Sequence, residues 1–343
     1  MKKISSALLV LVLILSLASV SFAEGMPETK FTAPEITDDL NTESNKVLIY
    51  SGAEEYRNAY FMQELTKKFP EYDITIEYMP TGNLAAKLAA EGKDTDIDII
   101  YDLDYSYAGL VEEYLCDLSE YDQTIYTDDV IDPSGRYMAE CRNGGAIIVN
   151  PDVLAEKGLE EPACYADLLK PEYKDLISMP NPKSSGTGYM FVKNLVNAWG
   201  EEEAFDYFDA LAENIIQFTS SGSGPVNALI QKEVAIGLGM TAQAVTKINE
   251  GANLKILFFE EGSPYSLYGF AMPEGKQNKK AVKEVFNYFY TNLVPEDKQL
   301  FYPEKIYKDF DFEIANYPTG IKYGDMSNNT TAEKSRLLEN WEY

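Results

Sequence analysis

Short apolar runs alternate with amphipathic segments from residue 46 onward. The first run, KVLIY, is typical of a buried strand, and the segment after it places apolar residues near helical spacing until Pro70 ends it. The pattern predicts strands over 46–50, 73–78 and 97–101 and helices over 54–69 and 83–91. This β-α-β-α-β order indicates an open, largely parallel sheet covered by helices.

The same alternation begins again downstream. Strands are predicted over 145–149, 176–179, 234–238, 254–259 and 268–272, and helices over 189–199, 202–215 and 279–291. A chain of 343 residues is long enough for two such units. Two α/β lobes are therefore expected, with binding loops after the carboxyl ends of the strands.

The amino terminus has the pattern of an export signal. Lys2 and Lys3 precede an apolar run over 7–20, and Ser21-Phe22-Ala23 ends in small residues at the expected cleavage point. We predict a signal peptide over 1–23 and a periplasmic or secreted protein. No cysteine lies at the cleavage point, so we predict no lipid anchor. The polar stretch 24–45 is interpreted as a flexible leader.

Composition narrows the chemistry further. The chain has 29 Lys and Arg against 56 Asp and Glu, a formal charge of −27, and no histidine. A nucleic-acid partner is not expected, because a binder must neutralise phosphates with clustered Lys and Arg. Without histidine the chain has no Ser-His or Cys-His nucleophile and no His-ligated metal. The three cysteines, Cys116, Cys141 and Cys164, allow at most one intramolecular disulfide, whose pairing stays open.

Two loops rich in hydroxyl groups and glycine follow predicted strands. The first, PNPKSSGTGY over 180–189, opens a helix, and the second, TSSGSGP over 219–225, precedes another. Glycines allow close backbone approach, and helix N-terminal N–H groups attract anions. Ordinary helix capping explains the same residue types, so both interpretations stay open. The candidate anion-binding residues are Ser184, Ser185, Gly186, Thr187, Ser221 and Ser223.

Further candidates occupy the loops of the first predicted lobe and the segment 261–268. Carboxylates and phenols are hard oxygen ligands that suit Fe(III), Ca²⁺ or an ammonium group. First-turn acids that favour the helix dipole, and tyrosines that pack between lobes, are the alternatives. These candidates are Ser51, Gly52, Glu54, Asp102, Asp104, Tyr265 and Tyr268.

Several motifs together resemble one family. LIYSGAEE, DIDIIYD, GGAIIVNPDVL, LISMPNPKSSGTGYMF and FFEEGSPYSLYGFAMPEG occur in the order seen in class II periplasmic solute-binding proteins. The resemblance is to the branch that serves ABC importers of ferric iron, phosphonates, sugar phosphates and thiamine. It implies a type II periplasmic-binding fold, in which two lobes, each an open mostly parallel sheet with flanking helices, are joined by hinge strands. It also adds Thr241 and Gln243 as ligand-binding candidates.

The resemblance implies the remaining expectations. Lobe 1 is expected over 46–140 plus 264–305, and lobe 2 over 141–263 plus 306–343. The protein is expected to be a monomer and not an enzyme, to need no cofactor, and to deliver its ligand to a membrane permease of an ABC transporter by hinge closure.

The ligand itself is less constrained. Ferric-binding members commonly have two adjacent tyrosines where this chain has Met240-Thr-Ala-Gln243, whereas the anion loops are intact. The expected ligand is a phosphonate, a sugar phosphate, or a ferric ion carried as cargo with a bridging anion; the metal ligands are unknown. Arginine is scarce, and Arg142, beside the predicted hinge, is the one of greatest interest. A cation such as a polyamine, a secreted carboxylate-based hydrolase, and a sensor that signals to a receptor kinase are the alternatives.

Overall fold

The computed structural model describes residues 31–343. The predicted signal peptide and the first part of the predicted leader lie outside the described residues. The described strands are β1 (Lys46–Ser51), β2 (Asp73–Tyr78), β3 (Ile99–Asp104), β4 (Met138–Val149), β5 (Ile177–Pro180), β6 (Ile215–Thr219), β7 (Ile236–Met240), β8 (Lys255–Leu257) and β9 (Tyr265–Ala271).

Helices separate most of these strands. They are α1 (Glu55–Lys68), α2 (Thr81–Glu91), α3 (Tyr105–Val111), α4 (Pro151–Lys157), α5 (Gly186–Trp199), α6 (Glu201–Ala212), α7 (Gly224–Ile230), α8 (Thr241–Asn249), α9 (Lys280–Tyr288), α10 (Val294–Leu300) and α11 (Thr331–Glu339), with a π-helical turn at Phe289–Leu293 and 3₁₀ turns at Gly92–Asp94, Glu112–Tyr114, Gln123–Ile125, Tyr165–Leu169, Pro171–Tyr173 and Lys276–Asn278. Within residues 31–343, none of these helices is both long and apolar enough to cross a membrane.

The strands form one continuous mixed sheet in the order β2-β1-β3-β9-β4-β7-β5-β6, with β8 on β4. Pairing is parallel from β1 to β2 and β3, and from β5 to β6 and β7. It is antiparallel where β9 meets β3 and β4, and where β4 meets β7 and β8. The predicted α/β class is confirmed, with a parallel group at each end of the sheet. We call the group around β1–β3 the first lobe and that around β5–β7 the second lobe.

One long strand, β4, runs from the first lobe into the second. The first part of β4, from Met138 to Gly144, pairs with β9, and its second part, from Gly145 to Val149, pairs with β7. The partner therefore changes between two consecutive glycines. A strand shared in this way connects the lobes through the middle of the sheet, as a hinge does.

Each lobe has its own hydrophobic core. The first core contains Ile49, Phe61 and Phe286, and the second contains Phe191 and Trp341. The C-terminal segment divides between them, because Ile306 and Tyr307 pack in the first core while Trp341 packs in the second. The exact lobe boundaries proposed from the sequence stay a prediction.

The described part of the predicted leader packs against the first lobe. Phe31 is 8% exposed and belongs to the first core, where its ring centroid lies 4.9 Å from that of Tyr307 and 5.5 Å from that of Phe310. Asn41 accepts a backbone hydrogen bond from Lys280. Residues 31–45 therefore follow the surface of the lobe, and their hydrophobic anchor is one phenylalanine in a polar stretch, which produces no periodic pattern.

The three cysteines are free thiols in different settings. Cys116 and Cys141 are buried, and Cys164 is exposed. Burial raises the pKa of Cys141 well above its usual value, with Glu140 as the next largest cause.

Candidate functional site

A small cavity lies where the two lobes face each other, and we call it the inner cavity. Its volume is about 30 Å³. Loops of both lobes and the hinge strands contribute to its wall, which comprises Gly52, Glu54, Tyr78, Pro80, Thr81, Asp102, Asn143, Ser185, Gly186, Thr187, Gly222, Ser223, Met240 and Tyr268.

The second lobe presents the N-terminus of α5 to the inner cavity. Ser185 is the N-cap of this 14-residue helix, and its hydroxyl oxygen accepts a hydrogen bond from the Gly188 N–H at 3.4 Å. The helix begins at Gly186, earlier than the sequence pattern indicates. Gly186 and Thr187 thus lie in the first turn, where backbone N–H groups lack intrahelical acceptors and the helix dipole is positive.

A second loop closes against this helix start. A Cβ atom on Gly222 would lie 2.3 Å from Thr187 Oγ1, so a side chain there cannot be accommodated without movement. The hydroxyl oxygens of Ser221 and Ser223 lie 2.7 Å apart in the same loop. Hydroxyl groups and N–H groups of two loops therefore converge on one side of the inner cavity, an arrangement suited to an oxyanion.

The first lobe presents carboxylates on the opposite side, and these belong to a buried ion network around Arg57. Arg57 is 1% exposed and binds both oxygens of Asp297, with distances of 2.7 Å from Nε to Oδ1 and 2.9 Å from Nη2 to Oδ2. It also donates to Glu140, to Asp102 at 3.3 Å and to Glu54 at 3.4 Å. The network holds the carboxylates of Glu54 and Asp102 in place from the side opposite the inner cavity.

Burial alone lowers the pKa of Arg57, but the carboxylates of Asp297 and Glu140 raise it well above its usual value. Burial also raises the pKa of Asp102 well above its usual range, and the charge of Glu140 raises it further, against the opposing effect of Arg57. Tyr302 completes the network, because Arg57 lies 4.4 Å from its ring centroid and its hydroxyl donates to Glu54 at 2.9 Å.

The two lobes are in close contact at Gly186, in the wall of the inner cavity. A Cβ atom at this position would lie 2.0 Å from Asp104 Oδ2 and 2.6 Å from the hydroxyl oxygen of Tyr268. Asp104 ends β3 in the first lobe, whereas Gly186 begins α5 in the second. This arrangement of the lobes therefore requires a residue without a side chain at position 186.

The structure gathers most of the candidates that the sequence proposed. Those that line the inner cavity are Gly52, Glu54, Asp102, Ser185, Gly186, Thr187, Ser223 and Tyr268. Ser221 and Gln243 line a larger adjoining space. Contact of any of these residues with a ligand stays a prediction.

The other five candidates line neither space. Ser51 accepts a turn hydrogen bond from Ala53, Asp104 caps α3, and Ser184 donates to Ser220. The remaining two are Thr241, which is fully buried at the start of α8, and Tyr265, whose ring lies 5.2 Å from that of Tyr323.

Some residues at the site are not apparent from the pattern of loops. Tyr78, Thr81, Asn143 and Met240 line the inner cavity, and Arg57 organises its acidic side. Arg57 does have a signal in the sequence. It occupies the buried stripe of α1 with Phe61 and Leu65, at intervals of four residues, where an apolar residue is expected.

Arg142, the arginine singled out from the sequence, lies elsewhere. It pairs with Asp129, and its guanidinium lies 5.1 Å and 5.4 Å from the ring centroids of Tyr265 and Tyr323. It is absent from the wall of the inner cavity.

One group of side chains has the spacing of metal ligands. Ligand atoms of Asp102, Glu140 and Cys141 lie within 4.8 Å of one another and are all buried. Arg57 already binds both carboxylates, and its positive charge opposes a metal ion at this point. The raised pKa of the Cys141 thiol also disfavours the thiolate that a metal requires.

Comparison with known proteins identifies the family of this chain. The family model described as bacterial extracellular solute-binding protein matches residues 97–302, more than half of the 343 residues. The chain therefore belongs to the bacterial extracellular solute-binding proteins.

Two curated proteins are similar to this chain at lower than 30% identity. An uncharacterized protein of Haemophilus influenzae is 29% identical over 231 residues, which cover 62% of this chain and 64% of the relative. The phosphoglycerate transport regulatory protein PgtC of Salmonella typhimurium is 21% identical over 200 residues, which cover 57% of this chain and 46% of the relative. The matched part of this chain thus spans between about half and two thirds of these relatives.

Solved structures confirm the two-lobed type II periplasmic-binding fold. AfuA of Actinobacillus pleuropneumoniae, with exogenous fructose-6-phosphate bound, has a TM-score of 0.74 and 25% identity, covering 86% of this chain and 97% of its own. The periplasmic binding protein P5PA has a TM-score of 0.75 and 22% identity, with coverages of 86% and 98%. Iron-bound HitA of Pseudomonas aeruginosa has a TM-score of 0.70 and 16% identity, with coverages of 86% and 97%. For P5PA and HitA, which are less than 25% identical to this chain, the likeness shows the fold alone.

Proposed function

We propose that this protein binds a small solute with an anionic group between its lobes and delivers it to the membrane permease of an ABC importer. The solute classes that fit are a phosphonate and a sugar phosphate. The periplasmic or secreted location and the monomeric state expected from the sequence belong to the same proposal.

The observation that carries this proposal is the start of α5 in the wall of the inner cavity between the lobes. Thr187 and Gly186 lie in the first turn of a 14-residue helix and line that cavity, together with Ser185 and Ser223. A helix N-terminus carries roughly half a positive charge and free N–H donors. This local field supports anion binding even in a chain whose formal charge is −27.

The acidic side of the cavity fits the same interpretation. Glu54 and Asp102 are both bonded to Arg57, so their charge is partly compensated from behind. Burial also raises the pKa of Asp102, which disfavours negative charge on this carboxyl group beside the anion site. The compensated carboxylates give less support to the alternative of a polyamine or another cation.

A thermal-shift experiment tests the proposal. The protein is unfolded and refolded to remove any carried solute, then heated with phosphonates, sugar phosphates, phosphoglycerate, citrate and putrescine. A ligand at 100 times its dissociation constant adds about 2.7 kcal/mol to the free energy of unfolding. We expect a shift with at least one phosphorylated or phosphonate compound.

Matched threonine variants locate the effect. Thr187→Val removes a cavity hydroxyl at nearly constant volume, and we expect it to reduce the ligand-induced shift. Thr66→Val is the control, because Thr66 is exposed on α1 and donates to Met62. A shift that is unchanged in Thr187→Val, or one produced by putrescine alone, would refute anion binding at α5.

A ferric ion with a bridging anion is the second candidate, and a specific observation favours it. Two phenols, those of Tyr78 and Tyr268, line the inner cavity with the carboxylates of Glu54 and Asp102. Phenolate and carboxylate oxygens are hard ligands suited to Fe(III). Against it, burial raises the pKa of Tyr268 well above its usual value, so phenolate formation there is costly.

Titration with Fe(III) citrate distinguishes this candidate. Iron held by phenolate gives a visible tyrosinate-to-iron absorption band, which Tyr268→Phe should weaken and the double variant Tyr78→Phe with Tyr268→Phe should abolish. A band that is lost in the double variant and survives in Tyr72→Phe would favour iron as the cargo. Tyr72 is a suitable control, because its hydroxyl bonds Glu284 on the first lobe, away from the cavity.

A further inference from the structure

The C-terminal helix α11 has firm contacts with the second lobe. Arg336 forms an ion pair with Glu201 of α6 at 2.8 Å. Glu333 forms another with Lys193 of α5 at 3.4 Å. Trp341, two residues after the helix, is 2% exposed and packs in the second core. These contacts anchor α11 in the second lobe.

The same helix also contacts α3, which belongs to the first lobe. A Cβ atom on Gly109 of α3 would lie 2.9 Å from Thr331 Oγ1, so the two helices are closely packed at this point. Further along α11, the Lys334 nitrogen donates to Ser106 Oγ on α3 at 2.8 Å. None of these four residues lines the inner cavity. Helix α11 therefore joins the two lobes outside the inner cavity.

Lys334 is enclosed by aromatic rings from both lobes. Its nitrogen lies 3.3 Å from the ring centroid of Tyr107 on α3 and 4.3 Å from that of Tyr189 on α5. The side chain is only 2% exposed, and a lysine is rarely buried to this extent, because its ammonium group loses hydration. Separation of the lobes moves α3 away from α5, so it should return water to this ammonium group.

The groups around Lys334 compensate its burial only in part. Burial lowers the pKa of Lys334 to about 7, against the attraction of Asp104 at the end of β3. The phenols of Tyr107 and Tyr189 stay neutral in this range, because burial raises the pKa of both. The titratable groups of the elements packed around Lys334 are Asp104 of β3, Tyr107 of α3, Tyr189 and Lys193 of α5, and Glu333 and Arg336 of α11, the last three being paired with one another.

The open and closed arrangements of the lobes should therefore bind different numbers of protons. A hydrated lysine has a pKa of about 10.4. Between about pH 7 and pH 10 the open arrangement holds the proton of Lys334, and the closed arrangement does not. Closure is then favoured as the pH rises across this window, is opposed as the pH falls across it, and changes little below pH 7.

We propose that Lys334 couples closure of the lobes to the release of a proton, so that the tendency of the protein to close increases with pH. The proton passes from the ammonium group to the solvent when the lobes approach, and it returns when they separate. Lys334 is a positioning residue in this role, because it acts through the approach of α3 to α5 and not through contact with the solute. This coupling does not depend on the chemical class of the solute.

Single-molecule Förster transfer between the lobes measures this coupling without any solute. The protein is first unfolded and refolded to remove what it carries. One dye is attached to Cys164, the exposed thiol of the second lobe, and the other to Lys93→Cys, at an exposed position of the first lobe. Cys116 and Cys141 are buried, so they stay unlabelled. We expect the ratio of closed to open molecules to rise at least about tenfold between pH 7 and pH 10.

Two neutral variants and one matched control identify the group responsible. Lys334→Met and Lys334→Gln have no ammonium group to bury, so both should lack this rise, and at pH 7 both should close at least as readily as the wild type. Lys193→Met is the control, because Lys193 is also 2% exposed but pairs with Glu333 of α11, and it should keep the wild-type rise. Burial raises the pKa of Glu304 to about 7, but Glu304 is present in all of these proteins, so their differences report Lys334 alone.

The outcomes separate this coupling from the proposed function. A rise in the wild type and in Lys193→Met that is absent from both variants at position 334 supports the coupling. A wild-type ratio that does not change with pH overturns it, and so does an equal rise in Lys334→Met and Lys334→Gln. Failure of every phosphate and phosphonate compound to bind would overturn the proposed function and leave this coupling in place.

Discussion

An added methyl group at Gly186 should destabilise the closed arrangement of the lobes. A Cβ atom there would lie 2.0 Å from Asp104 Oδ2 and 2.6 Å from the Tyr268 hydroxyl oxygen, whereas real Cβ atoms essentially never approach closer than 3.0 Å. The atoms must therefore separate by about 1 Å. Overpacking of this kind costs typically about 1–3 kcal/mol. Because the contact joins the first turn of α5 to β3 and β9, the cost falls on the closed arrangement.

Apparent affinity falls with the population of the binding-competent state, so Gly186→Ala should weaken solute binding by about 5-fold to 150-fold. Calorimetry with the solute that most stabilises the wild type measures this loss, and small-angle X-ray scattering reports whether the radius of gyration still decreases on binding. Ser184→Ala in the same loop is the control, because its hydroxyl bonds Ser220 outside the cavity. Wild-type affinity and compaction in Gly186→Ala would refute the reasoning.

Three further predictions concern buried groups. Arg57→Met leaves several buried carboxylates uncompensated, so the melting temperature should fall by roughly 10 °C. The fall should be smaller at low pH, and an unchanged melting temperature would contradict a stabilising role of the Arg57 network. Burial lowers the pKa of Lys334 to about 7, so the free energy of unfolding of the wild type should rise from pH 7 towards pH 10 by at most about 5 kcal/mol. Denaturant unfolding measures this rise, which Lys334→Met should lack. Phe31→Ala should cost about 3 kcal/mol by the same measurement, whereas an unpacked leader would show no change.

The sign of the Lys334 effect follows from the direction of its shift. Burial lowers its pKa against the attraction of Asp104, and its ammonium nitrogen lies 3.3 Å and 4.3 Å from the ring centroids of Tyr107 and Tyr189. Its nitrogen also donates to Ser106 Oγ at 2.8 Å. Between about pH 7 and pH 10 the unfolded chain binds the proton and the folded chain does not, so stability is full above this window, falls as the pH decreases across it, and changes little below pH 7.

The strands and helices with continuous apolar periodicity were predictable from the sequence. The predicted strand 46–50 corresponds to β1 (Lys46–Ser51), and the predicted helix 54–69 corresponds to α1 (Glu55–Lys68). Burial of one face supplies a local pattern in each case. The hydroxyl loops were also predictable as neighbours, because both follow strands at one edge of the sheet.

Features that depend on tertiary compensation were not predictable in the same way. The sequence pattern predicted only 145–149 of β4, whereas the strand begins at Met138. Its first part includes Glu140 and Asn143, which interrupt hydrophobic periodicity although both are buried. Glu140 is tolerated there because Arg57, far away in sequence, binds it. Local pattern carries no information about such a partner.

The start of α5 is a second case of this kind. The apolar face of the helix begins at Tyr189, so periodicity predicts a start three residues later than the structure shows. The glycines of its first turn have low helix propensity, but Gly186 permits close approach of β3 and β9, and Gly222 permits the next loop to approach Thr187. Interlobe packing therefore decides where this helix begins.

The most direct test of the central claim is a crystal structure of the exported protein with the solute that remains bound to it during purification. The account predicts an anionic group of that solute in the inner cavity, with oxygens about 2.7–3.2 Å from the N–H groups at the start of α5 and from the Thr187 hydroxyl. A solute held by the carboxylates of Glu54 and Asp102, without contact to α5, would contradict it.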